Sequence, residues 1–444
     1  MLNRLIYNDL ESWRLSSSRK PLVLRGARQV GKTVAVRMFS DQYDYYSELN
    51  MEFKENASFF NRNLKPHEVI QAIKLREHIP AETNSWLLFL DEIQACPKAM
   101  SMLRYFYEEV PEVHVIAAGS LLEAVLQSEQ ISYPVGRVEF RYLYPMIFEE
   151  FLEAVAGREM VEVFRQIPTP SYAEEELFSM YHQYALVGGM PEAVSKYVQT
   201  QDIVSVNHTY ENLITAYLND IPKYAKNDSM ARVLRHCLKS APYQAGRRIQ
   251  FAGFGESNYK SREAGEAFRT LEQVMLVTLL YPTVSVEAPF LPNERKSPRL
   301  QFVDTGLIHY VAGVQHELIG LEDLSDAFRG SILEQLTAQE FIGNRNDRRE
   351  KPLFWVRDKT QSQAEVDFIQ LFDSGPLPVE VKSGSAGKLR SLRILIETQP
   401  QIKKAVRLYR GSYFEQEVTN GLNFRLLNIP YYHAAKIGCY LEKK

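Results

Sequence analysis

Cysteine is scarce in this chain: Cys96, Cys237 and Cys439 are the only three among 444 residues. An odd number at wide spacing builds neither a disulfide frame nor a zinc site, and it fits a reducing, cytoplasmic setting. Long apolar runs are missing too. No stretch reaches the roughly 18 apolar residues that a membrane helix needs, so no membrane association is expected. The first residues, MLNRLIYNDLESWRL, have amphipathic helical spacing with acidic residues inside it, unlike the unbroken apolar stretch of a secretion signal. A surplus of one charge is also lacking. The 52 Lys and Arg stand against 55 Asp and Glu, a net charge of −3. That excludes a uniformly basic nucleic-acid binder and leaves only local patches for such a role. Repeats and low-complexity stretches are absent. What remains is an ordinary globular mixture, 45% apolar and 24% charged, in a chain of 444 residues. That length is too great for one core and suggests roughly two to four domains.

Against this plain background one phrase stands out. Gly26–Thr33 reads GARQVGKT and fits the phosphate-loop pattern G-x-x-x-x-G-K-[ST]. Gly26 and Gly31 let the backbone curl so that its N–H groups point at phosphates. Lys32 supplies a point charge for the β- and γ-phosphates, and the Thr33 hydroxyl is placed to hold Mg²⁺. The apolar PLVLRG before the loop reads as a strand and TVAVRMFSDQY after it as a helix, which is the setting this loop requires. Downstream, WLLFLDEIQ is a continuous apolar run ending in two carboxylates. Such a run is how a parallel strand buried on both faces looks, and ligands bind at the carboxyl ends of these strands. Asp91 is therefore expected to hold Mg²⁺ through water, and Glu92 to orient and deprotonate an attacking water. A further strand, VHVIAAGSLL, ends at Gly119 and Ser120. Ser120 is a candidate contact to the γ-phosphate or the water, and equally a helix N-cap for LLEAVLQSE. YYSELNME ends near Asn50, which either bonds Glu92 or closes a turn.

Residues 1–220 resemble a prokaryotic branch of the AAA-type P-loop ATPases. The likeness is carried by RKPLVLRGARQVGKT, LNME, LLFLDEIQ, AAGSLL, VGRVEFRYLYPMIFEEFL and GGMPEAV, in this order. It implies a five-stranded parallel sheet between helices and ATP with Mg²⁺ as ligands. It also implies Asn50 as a switch holding Glu92 from water, Arg28 as a recurrent loop arginine, and Arg137 as an arginine facing nucleotide or a neighbouring subunit. Arginine suits a transferring phosphoryl group because it spreads the developing charge. Whether it acts in cis or trans, and what oligomer forms, is open at this level.

Residues 221–315 follow a polar junction, IPKYAKND, where the pre-proline rule disfavours helix. Their order is helix, glycine-rich loop, helix, then strands TLLYPTVSVEA and RLQFVDTGL joined by a wing-like loop, which is a winged-helix pattern. Arg232, Arg235, Lys239, Arg247, Arg248, Lys260, Arg262 and Arg269 outnumber Glu256, Glu263, Glu266 and Glu272 there. DNA is thus one candidate partner and protein the other.

Residues 316–444 carry a second constellation. Glu334 opens a helix, Asp367 lies on one strand, and Glu380 and Lys382 share a face of the next. Two carboxylates and a lysine at a sheet edge suit a metal-assisted attack on a phosphodiester. The order resembles the PD-(D/E)XK restriction-endonuclease-like fold, and FVDTGLIHYVAG, GSILEQLTAQEF and VEVKSG also resemble an uncharacterised domain that accompanies this ATPase type. The resemblance implies Asp367, Glu380 and Glu334 at a metal and Lys382 as catalytic lysine. The expected chain is α/β: a parallel-sheet ATPase domain, a winged-helix-like middle and an α/β nuclease-like end. Two functions fit it. One is an ATP-hydrolysing protein acting on nucleic acid. The other is a nucleotide switch working through protein contacts, with an inactive nuclease-like recognition module. A protein-remodelling machine has no support, since no aromatic–glycine pore loop is seen.

Overall fold

The computed structural model describes residues 2–62, 64–83, 85–119, 136–287, 290–315, 330–345, 351–357, 364–372, 375–382, 389–419 and 421–442. Its first sheet is built from β1 (Leu22–Arg25), β2 (Tyr45–Asn50), β3 (Trp86–Asp91), β4 (His114–Gly119) and β5 (Glu139–Tyr142). The order is β2-β3-β4-β1-β5 and every pairing is parallel. This is the five-stranded parallel sheet that the family resemblance implies. Side-chain alternation explains why β3 reads as one apolar run. Leu87 and Phe89 enter one core and Trp86, Leu88 and Leu90 the other, so both faces are covered. The N-terminal helix Ile6–Leu15 seats Ile6, Leu10 and Trp13 in the first of those cores, the spacing of a single helical stripe.

That same core does not stop at the ATPase sheet. It runs on through Leu300 and Phe302, Ile332 and Leu333, to Val379 and Leu408. The middle and C-terminal parts therefore share an apolar core with the first. The helix Asn207–Tyr224 continues through Pro222 but ends two residues later, so the expected break falls at 225–227, within the IPKYAKND phrase, before the next helix begins at Asp228. Its tertiary packing, with Tyr210, Leu213, Tyr217 and Ile221 all buried, outweighs the local pre-proline preference.

In the middle segment, helices Asp228–Ser240 and Ser261–Gln273 precede β6 (Val277–Leu280), β7 (Pro282–Thr283) and β8 (Arg299–Phe302). β6 and β8 form an antiparallel pair. The two strands expected here are shorter than the sequence suggests. β7 leaves the hairpin and pairs with β9 (Leu353–Val356) of the second sheet. VDTGL is not strand: Asp304 caps helix Thr305–Ala312 by accepting the Leu307 N–H at 3.2 Å.

Helix Ser331–Gly343 leads to β9, β10 (Glu365–Phe372) and β11 (Gly375–Val381), then helix Arg390–Thr398, β12 (Lys404–Tyr409), β13 (Phe414–Val418) and β14 (Phe424–Pro430). The sheet order is β13-β14-β12-β11-β10-β9-β7. β9, β10 and β11 are an antiparallel meander, and β12 returns parallel to β11 after the helix.

Two buried contacts weld the segments. Gly189 donates its N–H to Asp304 Oδ2, and a Cβ on Gly189 would lie 2.1 Å from the Met146 carbonyl oxygen. Gly189→Ala must displace backbone, so it is expected to lower stability by roughly 2 kcal/mol or more, measured by denaturant unfolding. The second contact is Glu340, which accepts the Phe148 N–H at 2.7 Å. Burial pushes its carboxyl up from 4.5 to about 8. Because the folded value lies above the unfolded one, its contribution is full below about pH 4.5 and is lost as pH rises through about 8. The stability of the parent relative to Glu340→Gln should fall across that window, and parallel pH–stability curves for the two proteins would refute this origin.

Candidate functional site

The phosphate loop leaves β1 after Arg25 and enters helix Lys32–Phe39. Gly26 must be glycine because a Cβ there would meet the Leu143 carbonyl oxygen at 2.3 Å, and Gly31 turns the chain with a φ of 93°. Lys32 is 7% exposed, and its amine donates to the carbonyls of Gly26 at 2.9 Å and Ala27 at 2.8 Å. Burial lowers its pKa from 10.5 to about 8, against the pull of Glu92 and Asp91. A desolvated cation whose hydrogen bonds are to neutral carbonyls gains strongly from an anion, so the donor set fits a nucleotide phosphate. Thr33 Oγ1 donates to Asp91 Oδ2 at 2.8 Å, which brings hydroxyl and carboxylate together where Mg²⁺ needs hard oxygen ligands. Burial raises the Asp91 pKa despite the Thr33 hydrogen bond.

Glu92 follows in the left-handed region, with a φ of 47°, and its N–H donates to Asp91 Oδ1 at 3.0 Å. Its carboxylate accepts a hydrogen bond from the Gln94 amide. Asn50 stands opposite Asp91 in the sheet register, but its Oδ1 accepts the Glu52 N–H at 2.8 Å. Asn50 thus closes its own turn, and the partner of Glu92 in this arrangement is Gln94. The DEIQ phrase contains that glutamine, but nothing in its spacing singles it out.

Arg28, at the tip of the loop, pairs with Asp220, which also takes Lys223 at 2.9 Å. Tyr217 donates its hydroxyl to the Arg28 carbonyl at 3.2 Å. The loop is therefore tied to helix Asn207–Tyr224. Arg137 lies elsewhere. Glu139 pairs with Leu22 at the edge where the parallel strands begin, whereas the loop departs from the other edge. The Arg137 guanidinium pairs with Glu108 at 2.9 Å. Within this chain Arg137 thus stands apart from the phosphate loop. Ser120 lies outside the described residues.

Arg4 was not singled out by the sequence. It is 7% exposed and pairs with Glu150 at 3.0 Å, while its two terminal nitrogens donate to the carbonyls of Val30 and Tyr144. It braces the loop from behind. Removing one partner of a buried ion pair is costly, so Arg4→Met is expected to destabilise the fold by about 3 kcal/mol. An unchanged unfolding midpoint would show that the brace is dispensable.

The second constellation also converges, with an addition. Asp367 on β10 accepts the Val381 N–H at 2.8 Å. Lys382 sits 2.9 Å from Glu380 and 3.9 Å from Asp367. Between Glu334, Glu365 and Asp367 lies Arg299 of β8, itself 2% exposed. Burial opposes the charges of Arg299 and Lys382, but the surrounding carboxylates outweigh it and hold both pKa values above their usual range. Burial lifts Glu334 to about 7 against the pull of Arg299, and lifts Glu380 well above the carboxylate range with Asp367 adding to the effect. Among the described residues, no three His, Cys, Asp or Glu side chains are placed to hold a metal ion. As arranged, Asp367, Glu380 and Glu334 do not form such a set, and Arg299 from the preceding segment stands instead among Glu334, Glu365 and Asp367. Sequence spacing cannot show this, since Arg299 lies far from the motif.

Residues 18–152 match a family model described as an AAA domain. The N-terminal region is thus similar to AAA domains and carries a phosphate loop on a parallel sheet. Residues 179–318 and 329–432 match two further models, each described as a domain of unknown function, DUF8612 and DUF4143. No curated protein matches the chain. Among solved structures, a Walker-type ATPase of Pyrococcus abyssi is 15% identical, with 70% of this chain and 96% of that one covered at a TM-score of 0.44. The ORC2 protein of Aeropyrum pernix is 12% identical over 72% and 96% of the two chains, at 0.34. The RuvB branch-migration motor of Thermotoga maritima is 13% identical over 66% and 93%, at 0.29. No helix among the described residues is long and apolar enough to cross a membrane.

Proposed function

We propose that this chain is an ATP-hydrolysing switch that works through contacts of its middle and C-terminal domains. The observation that carries the reading is Lys32, a buried cation bonded to loop carbonyls beside the Thr33–Asp91 pair and next to Glu92. Lys32 would exchange those carbonyls for the β- and γ-phosphates. Thr33 and Asp91 would hold Mg²⁺, whose role is to offset phosphate charge. Glu92 would leave Gln94 to orient and deprotonate water. Arg28 would leave Asp220 to spread the charge of the transferring phosphoryl group. In that exchange helix Asn207–Tyr224 loses a tie to the loop, which gives nucleotide state a route to the rest of the chain. Ser120 remains a candidate for the γ-phosphate, and Arg137 a candidate only toward a neighbouring copy.

For the C-terminal domain, the element order of helix, meander, helix and parallel strand supports a PD-(D/E)XK-like reading. Arg299 in the acidic centre supports a recognition module over a working nuclease. In the middle segment Arg232, Lys239, Arg247, Lys260, Arg262 and Arg269 are exposed and keep nucleic acid as an alternative partner. Incubating labelled duplex and single strand with Mg²⁺ or Mn²⁺, with and without ATP, is expected to leave both intact. Cleavage that disappears in Lys382→Ala would restore the nuclease reading. Stimulation of ATP turnover by DNA would move the weight from protein contacts to nucleic acid.

A further inference from the structure

Glu92 is held twice over, by its backbone and by its side chain. Its backbone sits in the left-handed region, with φ 47° and ψ 44°, where a residue carrying a side chain is uncommon. Such a conformation costs energy and persists only where the surroundings fix it. Here the fixing element is the short turn Ile93–Ala95. The Ala95 N–H closes that turn on the Glu92 carbonyl at 2.9 Å, and Ile93 is fully buried. The same turn brings Gln94 to Glu92, whose Oε2 accepts a hydrogen bond from the Gln94 amide Nε2. The other polar groups around the loop have different partners. Lys32 bonds the carbonyls of Gly26 and Ala27, Arg28 pairs with Asp220, and Asn50 accepts the Glu52 N–H. A general base must first be within hydrogen-bond reach of its proton, and a carboxylate oxygen aimed at an amide N–H is not aimed at water.

The amide of Gln94 is only half used. Its Oε1 is buried and has no hydrogen-bond partner. Gln335, by contrast, is fixed at both ends: it accepts the Phe302 N–H at 3.1 Å and donates to the Phe302 carbonyl at 2.8 Å. An unpaired buried acceptor is a cost of the arrangement that contains it. Gln94 is therefore tied to Glu92 at one end and gains when the amide turns toward another donor. We propose that Gln94 is a positioning residue that restrains Glu92 before hydrolysis and so sets how fast the chain turns over ATP. The proposal rests on the ATP-hydrolysing reading and adds to it the element that governs the rate. Release of the amide does not create the base. It raises the fraction of molecules in which Glu92 can face water, and the rate follows that fraction. One hydrogen bond to a charged group is enough to shift such an equilibrium about tenfold.

The test is single-turnover hydrolysis of Mg²⁺-ATP by the full chain, with protein in excess so that the chemical step is read. It compares the parent, Gln94→Met, Gln94→Ala, Glu92→Gln and Gln94→Met with Glu92→Gln, and ATP affinity is measured for each by calorimetry. Gln94→Met keeps the length of the side chain and removes the donor. It is expected to hydrolyse ATP about tenfold faster than the parent, with affinity within about twofold, the rate shift of one lost hydrogen bond. Adding Glu92→Gln should abolish that gain, because the restraint acts only through the carboxylate. Gln94→Ala removes the same donor and decides the matter if Gln94→Met does not fold. A folded Gln94 variant that hydrolyses ATP at the parental rate would overturn the proposal. So would a slower one, which would make Gln94 a helper of the chemistry, and so would a gain that survives Glu92→Gln. The ATPase reading fails by a different result, equal hydrolysis by the parent and Glu92→Gln, so the two failures would not be confused.

Discussion

Lys32→Ala is expected to bind ATP about 100-fold more weakly than the parent, or worse. The side chain is a buried cation with a pKa lowered to about 8, placed at the head of helix Lys32–Phe39. Deleting it leaves the phosphate loop with backbone N–H groups and the helix terminus but no formal charge. Losing one member of a buried, hydrogen-bonded charge pair typically costs about 2–5 kcal/mol, and each 1.4 kcal/mol is roughly tenfold in affinity. The fold should tolerate the change, because the lysine bonds only carbonyls of its own loop, Gly26 and Ala27. Calorimetry with Mg²⁺ present reads the affinity directly. An unchanged dissociation constant in a folded Lys32→Ala protein would remove the phosphate-loop reading altogether.

Glu92→Gln should separate binding from chemistry. The carboxylate touches neither Lys32 nor Thr33 by a hydrogen bond; its backbone N–H bonds Asp91 and its side chain takes the Gln94 amide. Substitution by glutamine keeps size and shape, so ATP affinity should stay within a few-fold of the parent. A residue that removes a proton from attacking water contributes about 10²–10⁴-fold to the rate, and turnover should fall by that order. Asp91→Asn should behave differently, weakening Mg²⁺-dependent binding through the Thr33–Asp91 pair. If Glu92→Gln turns over ATP at the parental rate, the base is another residue.

How much of this was legible in the sequence depended on whether the contacts were local. The phosphate loop, the all-buried β3 and the acidic pair were readable because a strand, a turn and a helix start lie within a few residues of one another, and their patterns are dictated by burial on two faces and by glycine φ angles. The IPKYAKND junction was readable to within a few residues; the helix runs past Pro222 to Tyr224 because tertiary packing, which no local rule contains, holds it. The second hairpin strand was overextended for a similar reason: Asp304 is bound by Gly189 from a distant segment and starts a helix where the VDTGL phrase reads as strand. At the C-terminal site Asp367, Glu380 and Lys382 came together as their alternation suggested. What sequence reasoning missed there was Arg299. One arginine among many carries no pattern, and only the packing of β8 against the second sheet puts it among the acids. Arg4 escaped notice for the same reason, as a single residue whose partners, Glu150, Val30 and Tyr144, are scattered along the chain.

The measurement that bears most directly on the central claim is phosphate release from Mg²⁺-ATP by the full chain, run beside Glu92→Gln with labelled DNA in the same reaction. The expected result is steady release by the parent, near-complete loss in Glu92→Gln, and DNA left uncut throughout. No phosphate release by a folded, ATP-binding parent, or equal release by both proteins, would contradict the ATP-hydrolysing switch.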